Sequence, residues 1–345
     1  MQETQHSTIY ASTKSDLSSC ETYSPFTHRP PPWYMQGEGW WMVLSLLRPS
    51  RKLLKHVKHL LDEESSSSGP APSDSFRPHK GFRGGIGNVQ IIRYDTSPVG
   101  PYDELLIIPS AFKPPSESID QSPGLRITQL YVSTLESVLN GRRNWNTPKK
   151  LARFEFTEVV GCSNKIKLEV YALRSFGFTP FASSTGWYFE PNFYETPFFN
   201  VIMDRHLPSV NIPVKLKQLP MLDLPLLQPP LQAADPLDPQ SPEINCGMIG
   251  TSEWKRTRFD LKGSCGLCSF TGNLSGRKGQ FSDGDHFPDI QPYRLGIHFP
   301  RVYLKVPAPT LLSTPEPGPQ INKKSFKIRK TIHSYMPSFP IKRFD

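Results

Sequence analysis

Two segments, Arg153-Phe-Glu-Phe156 and Lys165-Ile-Lys-Leu-Glu-Val170, alternate polar and apolar residues with a period of two. Side chains on a strand point to opposite faces in turn, so this pattern makes half-buried β-strands and opposes an amphipathic helix. The signature recurs from residue 84 onward. Val89, Ile91 and Arg93 alternate with Gln90, Ile92 and Tyr94, and residues 125–132 alternate again. Glu104-Leu-Leu-Ile-Ile reads as a short strand buried on both faces. Further strands fall at 30–47, 254–261 and 293–306. Thirty-seven prolines, about twice a usual share near 5%, suit strands joined by long loops and oppose a helical bundle.

One helix is legible. Leu53, Leu54, Val57, Leu60 and Leu61 recur at helical spacing, with Arg51, Lys52, Lys55, Lys58 and His59 on the other face. Such a helix packs on a sheet or lies on a membrane surface, and the Asp62-Glu-Glu that follows favours packing. Residues 1–29 read as a disordered leader, 30–306 as one domain and 307–345 as a loosely ordered basic tail. Within the domain, 63–80 is a Ser/Pro/Gly-rich loop. Residues 207–245 are a Pro-rich excursion whose prolines keep it out of the centre of a sheet.

Composition narrows the function by exclusion. The net charge of +9 comes from separated groups at 51–58, 142–150 and 323–330, without interleaved aromatics, so no nucleic-acid partner is expected. The best apolar run, residues 39–47, is about half of a bilayer span, so no membrane partner is expected either. Five cysteines without an apolar leader point to a reducing, cytoplasmic setting. The first twenty residues contain no arginine, which counts against a mitochondrial presequence. Cys265-Gly-Leu-Cys268 is a zinc half-site without a second close pair among Cys246, His286 and His298, so no metal is expected. Gly84-Gly-Ile-Gly87 lacks the third glycine and the following helix of a dinucleotide fingerprint, and reads as a turn entering a strand.

The pattern that carries chemistry is Pro148-Lys149-Lys150, set between strand-like runs and following Glu104 at a distance. Adjacent lysines are ordinarily solvated. On a strand, however, they point to opposite faces, so one amine can be drawn into a dry pocket. There it would lose its proton near neutral pH and become a nucleophile.

Around these residues the chain resembles the acetoacetate decarboxylase family. The resemblance rests on Asp95-Thr-Ser-x-x-Gly100-x-Tyr102-x-Glu104 and on Tyr131 through Gly141-Arg142 to Pro148-Lys149-Lys150-Leu151. Gly141-Arg-Arg-Asn-Trp-Asn-Thr-Pro-Lys149 looks closest to fungal members. Matching covers residues 84–175 and is weaker at 30–47 and 250–306. It implies an α+β fold: a mainly antiparallel, cone-like β-barrel with peripheral helices and long irregular ends, enclosing an apolar pocket. It also implies that Lys149 is a Schiff-base lysine, that Lys150 helps keep it neutral, and that Glu104 is a pocket carboxylate. Tyr102, Tyr131 and Arg142 would bind substrate. The implied activity is a decarboxylase, a carbon–carbon lyase without a cofactor, acting on a small 3-oxo acid or a bulkier, polyketide-like keto compound. Family resemblance further implies a homo-oligomer.

Two departures stand out. Family members that decarboxylate acetoacetate place an arginine near the first strand, whereas residues 33–41 here contain Glu38 and no arginine. A second acidic residue expected before Glu104 falls at Val89 or Gln90, leaving Arg93 or Arg142 to supply a pocket cation. Glu104 is expected not to pair tightly with Lys149, because the pair would hold a proton on the amine. The alternative function is a non-catalytic barrel that binds an apolar small molecule, with both lysines solvated.

Overall fold

The computed structural model describes residues 10–13, 27–46, 49–67, 81–180, 186–205, 212–218, 223–231 and 250–312. The chain divides into Met1–Thr314 and Pro315–Asp345, and the second unit, with most of the expected basic tail, lies outside the described residues. So do most of the expected leader and residues 68–80 of the loop expected at 63–80, whose first five residues instead belong to α1. In the first unit the elements run β1 (Tyr10–Thr13), β2 (Trp33–Ser45), α1 (Arg51–Ser67), β3 (Phe82–Gly84), β4 (Gly87–Thr96) and β5 (Tyr102–Ile108). Then follow β6 (Ala111–Phe112), β7 (Gly124–Leu125), β8 (Gln129–Val132), α2 (Leu135–Trp145), β9 (Lys149–Val159) and β10 (Cys162–Pro180). The chain continues through β11 (Gly186–Phe193), β12 (Phe199–Arg205), β13 (Ile212–Lys215) and β14 (Leu226–Gln228). It closes with β15 (Lys255–Thr257), β16 (Asp260–Gly272), β17 (Leu295–Val306) and β18 (Thr310–Leu311).

Twelve strands form one sheet in the order β1-β11-β10-β12-β16-β17-β2-β4-β5-β8-β9, with β13 beside β16. Pairing is antiparallel throughout this sheet except between β8 and β9, which run parallel. The cone-like β-barrel implied by the resemblance is not what the chain forms. The sheet curls into a partial ring in which β9 meets β10, but β10 is nineteen residues long and runs on past that contact to pair with β11 and β1. The register breaks once within each pairing, between Cys162 and Ile166 against β9 and between Leu173 and Ser175 against β11.

Period-two alternation gives the curled sheet a core on each face. Trp40, Met42, Ile91, Leu105, Leu168 and Val201 pack on the inner side of the curl. Their chain neighbours Ile92 and Leu106, with Trp33, Tyr94 and Tyr102, pack on the other side, together with Val138 and Trp145 of α2. Both faces of β4 and β5 are therefore buried, as the continuous apolar run at 104–108 predicts. The expected pocket accordingly lies outside the curl, beneath α2 and a second sheet ordered β18-β15-β14-β7-β6-β3. β14 belongs to the Pro-rich excursion, yet it sits between β7 and β15. Its three residues fall between Pro225 and Pro229 and contain no proline, so its ladder bonds are intact.

α1 forms where its period predicts and buries Leu53 and Val57, with Val57 packed against Phe112. α2 is the helix that joins the parallel pair β8 and β9, a connection that parallel strands require. Glu136 in its first turn and Arg142 and Arg143 in its last complement the helix dipole. Asn146 ends it in the left-handed region, at φ 57°. Thr27 to Arg29 run alongside, held by Asn140 and Asn144 one turn apart: Asn140 accepts from the Arg29 N–H at 2.7 Å and Asn144 donates to the Arg29 carbonyl at 2.8 Å. The rings of Trp33 and Trp145 then meet edge to face at 5.0 Å, fixing β2 to α2.

Candidate functional site

Lys149 opens β9, directly after the turn that ends α2, and its backbone pairs with Leu130 of β8. Its neighbour Lys150 points the other way, as strand geometry requires. Lys149 is 5% exposed, whereas Lys150 stands in solvent. Ser137 and Gly141, one helical turn apart on α2, share the face that looks onto this lysine. The Ser137 hydroxyl accepts a hydrogen bond from Lys149 Nζ at 2.8 Å, and Gly141 leaves room for the aliphatic stem.

Two residues of β5 complete the surroundings. Lys149 Nζ donates to Glu104 Oε2 at 3.2 Å and to the Tyr102 hydroxyl at 3.5 Å, and it lies 4.9 Å from the centre of the Tyr102 ring. Tyr102 in turn donates to Met35 Sδ and packs at 4.8 Å on Tyr94. Burial pushes both phenols well above their usual pKa, with Glu104 adding to the shift. The Lys149 amine is pulled below 10.5 by burial, against an opposing upward pull from Glu104. Loss of hydration is the larger of the two effects, so the pocket favours the neutral amine relative to free lysine.

The pairing of Glu104 with Lys149 runs against the expectation that they would stay apart. Its cause is visible in the lining of the adjoining cavity. That cavity measures about 90 Å³ and is walled mainly by apolar side chains from both sheets, with Gln90, Glu104, Thr147, Lys149 and the two tyrosines Tyr94 and Tyr102 adding polar groups. Lys149 is the one cation lining it among the described residues, so Glu104 has no other cation there to pair with. Of residues 33–41, Trp33 and Met35 line the wall, whereas Glu38 does not and is bonded to His298 at 2.7 Å. Gln90, at one of the two positions considered for a second acid, lines the cavity as an amide, while Val89 faces the other core.

The remaining sequence-derived candidates fall elsewhere. Tyr131 lies on the opposite face of β8 from Leu130, packs on Phe198 at 4.6 Å and donates to the carbonyl of His286. Arg142 is buried on α2, where desolvation lowers its guanidinium to about 10, and it does not line the cavity. Arg93 points away from the pocket, bonded to Asp103 at 3.3 Å and stacked on Phe156 at 4.1 Å. The structure thus joins Lys149, Glu104 and Tyr102, and separates Tyr131, Arg142 and Lys150 from them. Of the aromatics between Phe176 and Phe199, Phe176 and Phe193 pack against the pocket-side core, Phe198 and Phe199 belong to the other core, and the side chains of 187–189 lie outside the described residues.

Three groups escaped sequence reasoning: Ser137, Gly141 and Thr147. The Thr147 hydroxyl is buried at the cavity wall without a hydrogen-bond partner. Their shared signal was the helical spacing of 137 and 141, ahead of a strand that begins with lysine. Cys268 is buried on β16, and burial and Asp204 push its thiol up to about 12, which suits packing. Among the described residues, no three His, Cys, Asp or Glu gather as a metal set, and no helix is long and apolar enough to cross a membrane.

These features define an α+β protein with a buried, hydrogen-bonded lysine at the wall of an apolar cavity. No family model matches the chain, and no curated protein matches it. Several solved structures are similar. An acetoacetate decarboxylase from Legionella pneumophila aligns with a TM-score of 0.47 and 12% identity, covering 84% of this chain and 90% of that one. A further structure of acetoacetate decarboxylase gives 0.48 and 12%, covering 87% and 96%. The enduracididine biosynthesis enzyme MppR, complexed with the condensation product of pyruvate and imidazole 4-carboxaldehyde, gives 0.42 and 12%, covering 83% and 90%. None of this points to a fungal branch.

Proposed function

We propose that this protein is a carbon–carbon lyase that decarboxylates a small 3-oxo acid through an imine on Lys149, without a cofactor. The observation that carries this reading is an amine buried against an apolar cavity, whose proton affinity is lowered by that burial.

In this reading the Nζ lone pair adds to the keto carbon, water leaves, and a protonated imine forms. The bond from the α-carbon to the carboxylate then breaks and CO2 departs. The bonding pair becomes a C=C bond, and the C=N pair settles on nitrogen as a neutral enamine. A proton returned to the α-carbon restores the imine, and water releases the ketone and the amine. No external electron acceptor is needed. Before that bond breaks, the substrate carboxylate sits near Glu104 with the imine nitrogen as its counter-charge, and its departure as neutral CO2 removes a poorly solvated anion. Glu104 carries the proton in and out, and the hydroxyls of Tyr102 and Thr147 hydrogen-bond the substrate. Lys150, on the opposite face, acts on Lys149 only through space, so burial is the main lever. Space for several water-sized molecules suits a short-chain acid better than a polyketide-like one.

A second reading, a non-catalytic pocket for an apolar small molecule, draws support from one observation. The three acceptors around Nζ match the three N–H bonds of an ammonium. Borohydride trapping separates the two. With a short 3-oxo acid present, the lyase forms a reduced adduct on Lys149 and releases CO2. The adduct is lost in Lys149→Ala and kept in Lys150→Ala. Absence of an adduct with any keto compound leaves the binding pocket as the function.

A further inference from the structure

Four neighbouring strands gather charges that are far apart in the sequence. Lys215 of β13 stands opposite Lys262 of β16, Lys262 opposite Tyr303 of β17, and Tyr303 opposite Gln36 of β2. Opposed residues share a face, and so do residues two apart on one strand. Pro213, Ser264 and Arg301 form the row on one side of this one, and Asp260, Lys305 and Tyr34 the row on the other. Lys262 Nζ lies 5.7 Å from the Tyr303 ring centre, and Lys305 Nζ lies 5.5 Å from that of Tyr34. Both rings are exposed, Tyr34 by 62% and Tyr303 by 38%. Lys215, Lys262, Arg301 and Tyr303 line an open groove of about 560 Å³ with no carboxylate in its lining. Asp260 is the carboxylate of the three rows; with Glu38 of β2, which stands across from Pro300 and Arg301 and bonds His298, two carboxylates stand beside four cations.

This face is separate from the Lys149 cavity. Leu261, Leu304 and Met35, which line that cavity, alternate along the strands with Lys262, Tyr303, Lys305 and Tyr34. Cations gathered on one face attract a ligand that carries repeated negative charge. Positions two apart along β17 are about 7 Å apart, so Arg301 and Lys305 flank Tyr303 at steps in which charge and flat apolar surface alternate. A lone phosphate or an acidic peptide leaves the tyrosine rings unused, and a duplex keeps its base faces stacked inside. The net charge of +9 acts in the same direction.

We propose that this face binds single-stranded nucleic acid, with phosphates along Lys215, Lys262, Arg301 and Lys305 and bases stacked on Tyr303 and Tyr34. The expectation of no nucleic-acid partner rested on charges scattered in the sequence; cross-strand pairing is what collects them.

The test is fluorescence anisotropy of the full chain with labelled oligouridine and oligothymidine, titrated over salt from about 50 to 200 mM. Binding of either oligomer, with a log–log salt slope of about −2 to −3, is the expected result. Lys262→Ala with Arg301→Ala lowers the magnitude of that slope by about 1.4. Tyr303→Ala weakens binding by about tenfold or more at an unchanged slope. Each variant keeps the melting temperature of the parent, because these side chains are exposed. Absence of binding at the lowest salt overturns the proposal, and so does binding that the variants leave unchanged. Loss in the double variant with no effect of Tyr303→Ala and Tyr34→Ala also overturns it, marking a general anion surface. Tighter binding to phosphatidylserine vesicles than to either oligomer does the same.

Discussion

Gly141 and Lys149 fit together through the absence of a methyl group. A Cβ on Gly141 would lie 2.5 Å from Lys149 Cδ, 2.7 Å from Cε and 2.9 Å from the Thr147 hydroxyl. The glycine costs helix stability where it sits, about 1 kcal/mol relative to alanine, and what it gains is passage for the lysine stem. Gly141→Ala should therefore displace the amine from Ser137 and Glu104 rather than simply strengthen α2. We expect imine trapping to fall at least about tenfold, the scale of a misplaced reacting group, with the fold retained by circular dichroism. Trapping at the parent rate would show that the stem does not need this path.

Lys149 and Glu104 are both buried, at 5% and 6% exposure, and face each other at 3.2 Å. Removing one partner leaves the other uncompensated, at a cost of about 3 kcal/mol or more. Lys149→Ala should lower urea stability by that amount. The double variant Lys149→Met with Glu104→Leu should recover most of the loss, since an apolar pair of similar volume suits these walls. Equal destabilisation in both would mean that the lost stability comes from packing.

The pH dependence follows from the direction of the Lys149 shift. Its folded pKa lies below 10.5 because burial outweighs the upward pull of Glu104. Between the folded value and 10.5 the unfolded chain binds more protons, so this group's contribution to stability rises with pH across that window and is unfavourable below it. The trapping rate should rise over the same limb, as the amine frees its lone pair. Glu104→Gln removes the group that raises the lysine, so the midpoint of the trapping profile should move to lower pH. A midpoint that moves upward would mean that Glu104 does not hold the proton on Lys149.

Much of the strand content was legible because alternation is a local property. Arg153 to Phe156 and Lys165 to Val170 fall within β9 and β10, and α1 forms where Leu53 and Val57 predicted it. Strand closure was not legible, because it depends on which partner β10 takes at each stretch of its length, and alternation is the same for every partner. α2 was hidden by its own function: Gly141 weakens the helical signal, although Glu136, Arg142, Arg143 and Asn146 mark its ends. Lys149 and Glu104 were nominated one by one, while their contact is a tertiary fact. With neither an arginine nor a second acid lining the cavity, Glu104 turns to the lysine.

Asn146 holds the turn that delivers Lys149 to its strand. It sits at φ 57°, and its amide donates to the Pro229 carbonyl at 2.9 Å and to the Glu253 carbonyl at 2.7 Å. The residue thus does two separable things: it adopts the left-handed backbone that ends α2, and it ties that end to two segments flanking the second sheet. Asn146→Gly keeps the backbone freedom and loses the two bonds. Asn146→Ala loses both, and the added backbone strain costs about 1 kcal/mol beyond the glycine variant. Two lost hydrogen bonds cost about 2 kcal/mol, so we expect denaturation to place glycine about 2 and alanine about 3 kcal/mol below the parent. Trapping at Lys149 should decline in the same order, because a looser turn lets the amine leave its three acceptors. If glycine matches the parent in both measurements, the two carbonyl bonds contribute nothing, and the backbone conformation alone positions the lysine.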